Sequence, residues 1–227
     1  MRGLDRIAAV SFDVGGTLIA PWPSVGHVYA AVAAAHGYGG LPPETLDRQF
    51  AAAWQRRGAF DYSHAAWQWI VQETFTGLLD RQAAAALLEP LYHKFEQADA
   101  WRIYDDVRPT LEALRSRGFR LAVISNWDER LRPLLRNLGL AQFFDVITVS
   151  IEAGVAKPAP GIFQRCIQAL GLPAAAVLHV GDDATDDLHG ARQAGLQALR
   201  IVRGPAADGE PDDLRRLDQL LERLEAS

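Results

Sequence analysis

The chain has 227 residues but a single cysteine, Cys166. An intrachain disulfide needs two thiols, so a fold held together by disulfides is excluded, and we expect Cys166 to be a small buried apolar residue. Long apolar runs are also absent, because no segment approaches the roughly eighteen apolar residues in a row of a membrane-spanning helix. The apolar run at residues 7–12 is too short for the core of a signal peptide. We therefore expect a cytoplasmic protein with no membrane contact.

Lysine and positive charge are scarce as well. Of the 23 basic residues, only Lys94 and Lys157 are lysines, and the net charge is −5. A negatively charged chain has no overall attraction for a phosphate backbone, so we expect no nucleic-acid partner. In a chain that otherwise uses arginine, a lysine can mark a place that needs a compact ammonium and does not fit a planar guanidinium. This hint points to Lys157.

Two sequence patterns divide the chain. Residues 21–101 hold five of the six tryptophans and show the three-to-four-residue apolar spacing of helices. This spacing predicts an all-helical cap with helices at 28–35, 46–54, 65–75 and 83–95. Residues 1–20 and 102–227 are predicted to form the core.

The core segments alternate short apolar strands with helices. Such alternation is typical of βαβ units around a parallel sheet. We therefore predict a doubly wound α/β fold that is interrupted after its first strand by the cap. The predicted strands are 7–12, 120–124, 146–149, 177–180 and 198–202, and the predicted helices are 107–116, 129–138, 161–170, 186–194 and 211–226.

Polar side chains follow four of the predicted strands. In an open parallel sheet, ligands bind beyond the carboxyl ends of the strands, so these residues are candidates for one shared site. They comprise a carboxylate nucleophile, a hydroxyl with an amide, an ammonium, and an acidic pair suited to a hard cation. This set predicts phosphoryl transfer through an aspartyl intermediate. The residues are Asp13, Ser125 with Asn126, Lys157, and Asp182 with Asp183.

Four motifs in order carry a family resemblance. They are Asp-Val-Gly-Gly-Thr-Leu from Asp13, Ile-Ser-Asn ending at Asn126, Gly-Val-Ala-Lys-Pro around Lys157, and Gly-Asp-Asp-Ala-Thr-Asp-Asp at 181–187. Together they resemble the four motifs of haloacid dehalogenase-like hydrolases. The segment after Asn126, Trp-Asp-Glu-Arg-Leu, is most similar to the rhythmically expressed gene 2 subgroup, in which a helical cap follows the first motif.

The resemblance implies a Mg²⁺-dependent hydrolase of a small phosphorylated molecule and assigns a role to each matching residue. Asp13 would attack phosphorus, and Mg²⁺ would be held by Asp13, Asp182 and the backbone carbonyl of Gly15. Asp183 and Asp187 would lie in a second layer around the metal, where Asp187 would hold the water shell of the metal or orient the lysine. The groups expected to bind the phosphoryl oxygens are Ser125, Asn126 and Lys157.

Gly15 is the position where the chain departs from the family pattern. Phosphatases of this family carry an aspartate there, which protonates the leaving oxygen and later activates water. Glycine keeps the backbone carbonyl but removes this acid, and a positioned acid or base typically contributes about 10²–10⁴-fold. Either another residue replaces it, or the substrate has a good leaving group, or the enzyme is weak. The candidate replacements are Asp128, Asp183, His27 and His36.

Each motif also has a structural interpretation. Asp13 lies in a context typical of a turn, Ser125 and its neighbour can cap the next helix, and carboxylates are favoured at helix N-termini. Four aspartates within 182–187 repel each other too strongly for capping alone. His179 and the other isolated histidines are interpreted as structural. Lys94 would suit a phosphonate-cleaving relative through a Schiff base, but it lies near the end of the cap.

Three other functions remain open. Asp-x-Gly-Gly-Thr also occurs in the first phosphate loop of actin-fold sugar kinases, but the chain is short for that fold and its second glycine-rich loop, 204–209, is a poor match. Metal-independent haloacid dehalogenases also lack the second aspartate, although they have aromatic bulk where this chain has Gly15. The third alternative is a weak or non-enzymatic regulatory protein of the same fold. In every case we expect a monomer or a homodimer.

Overall fold

The computed structural model describes residues 7–204, 210 and 213–225. The chain divides into two compact units, which we call the core unit (Met1–Ile19 with Ile103–Ser227) and the cap unit (Ala20–Arg102). These boundaries lie one residue from the predicted ones.

Strands and helices alternate along most of the described chain. Among the described residues, no helix is both long enough and apolar enough to cross a bilayer. The strands are β1 (Ala9–Phe12), β2 (Ile19–Pro21), β3 (Trp101–Ile103), β4 (Arg120–Ser125), β5 (Val146–Val149), β6 (Val177–Gly181) and β7 (Gln197–Arg200). The α-helices are α1 (Val25–Ala35), α2 (Pro43–Arg56), α3 (His64–Thr74), α4 (Arg81–Ala86), α5 (Leu88–Lys94), α6 (Val107–Ser116), α7 (Leu131–Asn137), α8 (Ser150–Ala153), α9 (Pro160–Leu170), α10 (Gly190–Gln193) and α11 (Gln219–Glu225).

The core unit contains a five-stranded parallel sheet in the order β5-β4-β1-β6-β7. Phe12, at the end of central β1, lies opposite Val123 of β4 on one side and Val180 of β6 on the other. All four residues of β1 are buried, as expected of a parallel strand covered on both faces. The carboxyl ends of β1, β4 and β6 therefore lie side by side, and the predicted site residues lie at or after these ends, except Lys157, which follows β5.

Both faces of this sheet are covered, as the burial of successive residues of β4 shows. Ile124 of β4 packs in one buried cluster with Phe163 and Cys166 of α9. Leu121 and Val123 of the same strand are equally buried, and side chains alternate between the faces of a strand, so β4 is covered on both faces. The predicted doubly wound α/β core is confirmed, and Cys166 is buried as expected.

Most predicted elements differ by a few residues from those of the structure, and three helices illustrate this. The predicted helix 83–95 is two helices, α4 and α5, which are separated at Leu87. The predicted helix 186–194 begins earlier, as a π-helical turn at Ala184–His189 that continues into α10, because Asp183 caps the turn at its start. The predicted helix 211–226 is the shorter α11, while residues 211, 212 and 226 lie outside the described part of the chain.

The cap unit consists of helices α1–α5 with the short strands β2 and β3 at its ends. Its buried cluster includes Tyr29, Leu46 and Phe75. The rings of Trp54 and Trp67 stack with centroids 5.9 Å apart. Aromatic packing thus holds this unit together.

Candidate active site

Asp13 lies directly after β1 at the carboxyl edge of the sheet. Its backbone N–H donates to the Val180 carbonyl at 2.9 Å, and the residue is 7% exposed. Its carboxylate oxygen Oδ1 accepts hydrogen bonds from Ser125 Oγ at 2.8 Å and from Lys157 Nζ at 2.7 Å. Because both donors bind Oδ1, the carboxylate is held in one orientation, and Oδ2 is the oxygen that neither donor occupies.

Lys157 bridges two carboxylates. Its Nζ donates to Asp13 Oδ1 and, at 2.5 Å, to Asp187 Oδ1, and the side chain is buried. Burial alone would lower the pKa of this ammonium, but the negative charges of Asp13 and Asp187 outweigh burial and raise the pKa above its usual value. Lys157 therefore stays a cation inside the site.

Asn126 was predicted to bind phosphoryl oxygens, but in the structure its side chain binds the Lys157 backbone. Its Oδ1 accepts the Lys157 N–H at 2.7 Å, and its Nδ2 donates to the Lys157 carbonyl at 2.9 Å. The same Nδ2 lies 3.3 Å from Asp186 Oδ2. Asn126 thus fixes the main chain that carries the ammonium.

Asp187 is held on both of its oxygens. Oδ1 lies 3.0 Å from His179 Nε2 in addition to the lysine, and Oδ2 accepts the Asp183 N–H at 3.0 Å. The other ring nitrogen of His179, Nδ1, lies 3.0 Å from Ser11 Oγ. Gly181 leaves room for this arrangement, because a Cβ there would lie 2.1 Å from Asp187 Cγ.

The sequence interpretation of His179 as purely structural missed its contact with the site. His179 is fully buried in β6, and a buried polar side chain needs a hydrogen-bond partner. The position of His179 in the strand that leads into the acidic motif is the sequence feature that could have indicated this contact. Burial opposes ionisation of Asp187, but Lys157 and His179 outweigh burial and hold the pKa of Asp187 below its usual range.

Asp13, Asp182 and Asp187 form an acidic cluster in which one oxygen of each lies within 4.8 Å of the others. Three carboxylates face the single ammonium of Lys157, so full ionisation leaves two negative charges in excess. Burial raises the pKa of Asp13, against the opposing charge of Lys157. Asp182 keeps contact with solvent, yet partial desolvation and the charges of Asp13 and Asp187 raise its pKa to about 8. A divalent cation would neutralise this excess.

Asp183 and Asp128 are committed to other contacts in the core unit. Asp183 Oδ1 accepts the backbone N–H groups of Thr185 and Asp186, both at 2.7 Å, so it caps the turn that follows. Asp128 is buried and binds Arg130 through both oxygens, at 2.8 Å and 2.5 Å. In these contacts both carboxylates act as hydrogen-bond acceptors.

The remaining predicted candidates lie in the cap unit. His27 Nδ1 lies 2.8 Å from Ser24 Oγ, and His36 Nδ1 lies 2.9 Å from the Val32 carbonyl. Lys94 Nζ donates to Asp99 Oδ2 at 2.6 Å. This exposed ion pair does not give Lys94 the buried apolar setting that activates a Schiff-base lysine.

The sequence model of the haloacid dehalogenase-like hydrolases matches residues 7–195. The chain belongs to this family. The match runs from β1 through the cap unit to the end of the acidic motif, so it covers the whole site. The chain is therefore a hydrolase of the haloacid dehalogenase-like family, and the alternative of an actin-fold sugar kinase is wrong.

Curated relatives agree with this assignment. Human Haloacid dehalogenase-like hydrolase domain-containing protein 3 is 35% identical over 213 residues, which cover 89% of this chain and 84% of the relative. Phosphatase MT3486 of Mycobacterium tuberculosis is 31% identical over 225 residues, 95% of this chain and 97% of the relative. Rhythmically expressed gene 2 protein of Drosophila melanogaster is 28% identical over 88% of this chain and 85% of its own length, in line with the predicted resemblance.

Solved structures of the family have both phosphatase and dehalogenase names. A HAD phosphatase from Thermococcus onnurineus is 26% identical with a TM-score of 0.67, over 96% of this chain and 98% of the neighbour. A 2-haloacid dehalogenase from Pseudomonas syringae pv. Tomato DC3000 is 28% identical with a TM-score of 0.63, over 97% and 99%. Similarity of fold therefore does not separate the two reactions, and the chemistry of the site must do so.

Proposed function

We propose that this hydrolase is a Mg²⁺-dependent phosphatase that acts on a small phosphorylated molecule through an aspartyl-phosphate intermediate. The observation that carries the proposal is the setting of Asp13. Its Oδ1 is held by Ser125 and Lys157, while Oδ2 has neither donor. A carboxylate nucleophile needs this combination of fixed orientation and an unoccupied lone pair. The phosphatase name of the M. tuberculosis relative supports the same choice.

The donor set of the site fits a magnesium ion. Asp187 is already bonded on both oxygens, so Asp13 and Asp182 are the carboxylates left for a metal. With the backbone carbonyl of Gly15, they would supply oxygen ligands of the kind that Mg²⁺ prefers. When bound, the ion would neutralise phosphoryl oxygens and stabilise the charge that develops on them.

Each residue of the site has its own role in the proposed reaction. Asp13 would attack phosphorus through one oxygen of its carboxylate, and the leaving group would depart with the electron pair of the broken P–O bond. Ser125 and Lys157 would keep the carboxylate aligned and attract the phosphoryl oxygens. Asn126 and Asp187 would position the lysine through its backbone and its ammonium. Water would then cleave the phosphoaspartate, which returns Asp13 and releases phosphate.

A phosphatase screen tests this proposal. The purified protein would be assayed with p-nitrophenyl phosphate, acetyl phosphate, sugar phosphates and nucleotides, each with Mg²⁺ and with EDTA. We expect phosphate release from at least one substrate only when Mg²⁺ is present. Turnover that is equal in EDTA, or no phosphate release from any class, would overturn the proposal.

A metal-independent haloacid dehalogenase is a second candidate, favoured by one observation. The ring of Trp127 lies beside Gly15, so aromatic bulk is present near the position where dehalogenases have it. Against this candidate, Asp182 adds a carboxylate with a raised pKa that a metal-free reaction does not need. Halide release from 2-chloropropionate that persists in EDTA would decide for the dehalogenase.

A further inference from the structure

Gly15, two residues after the proposed nucleophile, lies against the indole of Trp127. A Cβ on Gly15 would lie 3.3 Å from Cζ3 and 3.9 Å from Cη2 of that ring. The shorter distance is below ordinary carbon–carbon contact, so a side chain at 15 would meet the ring at its first atom. Gly15 has no positive φ, whereas its neighbour Gly16 has a φ of 72°. Space, and not backbone conformation, therefore favours glycine at 15.

The backbone of Trp127 is fastened in place. Its N–H donates to Ser150 Oγ at 3.0 Å, and the same hydroxyl donates back to the Trp127 carbonyl at 3.0 Å. The Ile151 N–H donates to that carbonyl at 3.2 Å. Residue 126, just before it, is bonded to the Lys157 backbone. The main chain that carries the ring is therefore fixed, and the ring could make room for a new side chain only by rotating about its own side-chain bonds.

An indole cannot replace the missing acid. Its ring nitrogen only donates a hydrogen bond and does not exchange a proton at neutral pH. Two carboxylates of the core unit are occupied as well, because Asp187 is held by Lys157 and His179, and Asp128 by Arg130. The space into which an acid at 15 would extend is therefore filled by a group without acid–base chemistry.

We propose that Gly15, together with the Trp127 ring that fills the space beside it, limits the enzyme to phosphates whose leaving group departs without a proton, namely acyl phosphates and phosphates of acidic phenols. In this account Trp127 is a specificity-determining residue, because it keeps an acid from occupying position 15. This inference rests on the proposed phosphatase function. In the first step the bond between Asp13 and phosphorus forms, the P–O bond to the leaving group breaks, and the electron pair stays on the leaving oxygen. A carboxylate or a nitrophenolate is stable with that charge, whereas an alkoxide needs a proton.

The test is a series of aryl phosphates from p-nitrophenyl to unsubstituted phenyl, assayed with Mg²⁺. For the wild type we expect kcat/KM to fall steeply as the pKa of the leaving phenol rises. Gly15→Asp/Trp127→Ala should hydrolyse phenyl phosphate about 10²-fold faster than the matched control Gly15→Asn/Trp127→Ala, the lower end of the range for general acid catalysis. The two variants should differ far less on p-nitrophenyl phosphate. Gly15→Asp alone should gain less than the double variant.

A stability cycle tests the steric part without a substrate. Gly15→Ala should lower the melting temperature in the wild type but not in the Trp127→Ala background, because the clash is removed there. If Trp127→Ala does not fold, Trp127→Leu takes its place. Equal effects of Gly15→Ala in both backgrounds would overturn the steric account.

The other outcomes separate the inference from the proposed function. A flat dependence on the leaving group, with normal Mg²⁺-dependent turnover, would overturn the inference alone, because another group would then supply the proton. Equal gains from Gly15→Asp and the double variant would overturn the role of Trp127. Failure of the wild type to hydrolyse any aryl or acyl phosphate with Mg²⁺ would overturn the proposed function and this substrate class together.

Discussion

The core unit and the cap unit bury different kinds of side chain. Among the described residues of the cap unit, Thr74 is the one polar or charged residue that is buried. Its hydroxyl donates to the Ile70 carbonyl in the same helix. The core unit buries Asp13, Lys157 and Asp187 in one bonded group. Burying charges is unfavourable compared with burying an apolar core, so a cluster of them points to function.

This difference explains why the four family motifs lie in the core unit, whereas the cap unit carries no recognisable motif. The cap unit is held by ring packing, as between Tyr29 and Phe75 at 5.5 Å, and many apolar residues can fill such a core. The core unit needs particular charges at fixed places, so each of its residues is chemically specific. The comparison predicts that changes in the core cluster affect turnover more than stability, and that cap changes do the reverse.

The largest effect is expected from Asp13→Asn. An amide can neither attack phosphorus nor balance a metal charge, so kcat on any substrate of the wild type should fall by at least about 10⁴-fold. Circular dichroism should show an intact fold. Asp99→Asn, which changes an exposed carboxylate of the cap unit, is the matched control and should keep full activity. Retained turnover in Asp13→Asn would remove this residue from the mechanism.

The two lysines give the next comparison. Lys157→Arg keeps the charge, but a planar guanidinium cannot take the place of an ammonium 2.7 Å and 2.5 Å from two carboxylates. We expect kcat to fall by about 10²–10³-fold, the size of losing one charge-stabilising donor. Lys94→Arg in the cap unit should be neutral. If the two variants were equally active, only the charge of Lys157 would matter.

Metal binding should depend on pH through Asp182. Its folded pKa of about 8 lies above its usual value of 3.8, so without metal the stability that its proton provides is fully present below pH 3.8 and is lost as pH rises from there through about 8. Mg²⁺ needs the ionised form and displaces that proton. Mg²⁺ should therefore raise the melting temperature more at about pH 9 than at about pH 6. Asp182→Asn should abolish this pH dependence, and an equal rise at both pH values in the wild type would contradict the metal site.

The smallest effect on turnover is expected in the cap core. Phe75→Leu and Phe163→Leu both remove volume from a buried ring position and should each lower the free energy of unfolding by about 1 kcal/mol. Phe163 packs edge-on against His179 with ring centroids 5.4 Å apart, so its loss should also lower kcat. Phe75→Leu should leave kcat unchanged. A larger drop in kcat for Phe75→Leu than for Phe163→Leu would contradict the claim that the core unit, and not the cap core, determines turnover.

Much of the site follows from the sequence because strand ends converge. Asp13, Ser125 and Asp182 each lie at or just after the end of a parallel strand, and neighbouring strands bring them together. The hydrogen bonds that hold the site in place cannot be predicted from the spacing of residues along the chain. The bond from His179 to Asp187 depends on the path of the chain after Gly181, and the bonds from Asn126 go to a backbone 31 residues away.

The role of Gly15 shows the same limit. At the level of sequence, the family resemblance indicates that an acid is missing at this position. It does not show that the space is occupied, because Trp127 reaches Gly15 only through the packing of two strand ends. The start of the predicted helix 186–194 was also wrong, because the Asp183 side chain caps a helical turn that already begins at Ala184.

Whether Asp13 carries the phosphoryl group can be determined by trapping the phosphorylated intermediate. The enzyme would be quenched during turnover of acetyl phosphate with Mg²⁺ and reduced with borohydride, which converts an acyl phosphate of aspartate to homoserine. Peptide mass spectrometry then locates the modified residue. We expect homoserine at position 13 and none in Asp13→Asn. Homoserine at 182 or 187, or an unmodified Asp13 in an enzyme that turns over, would contradict it.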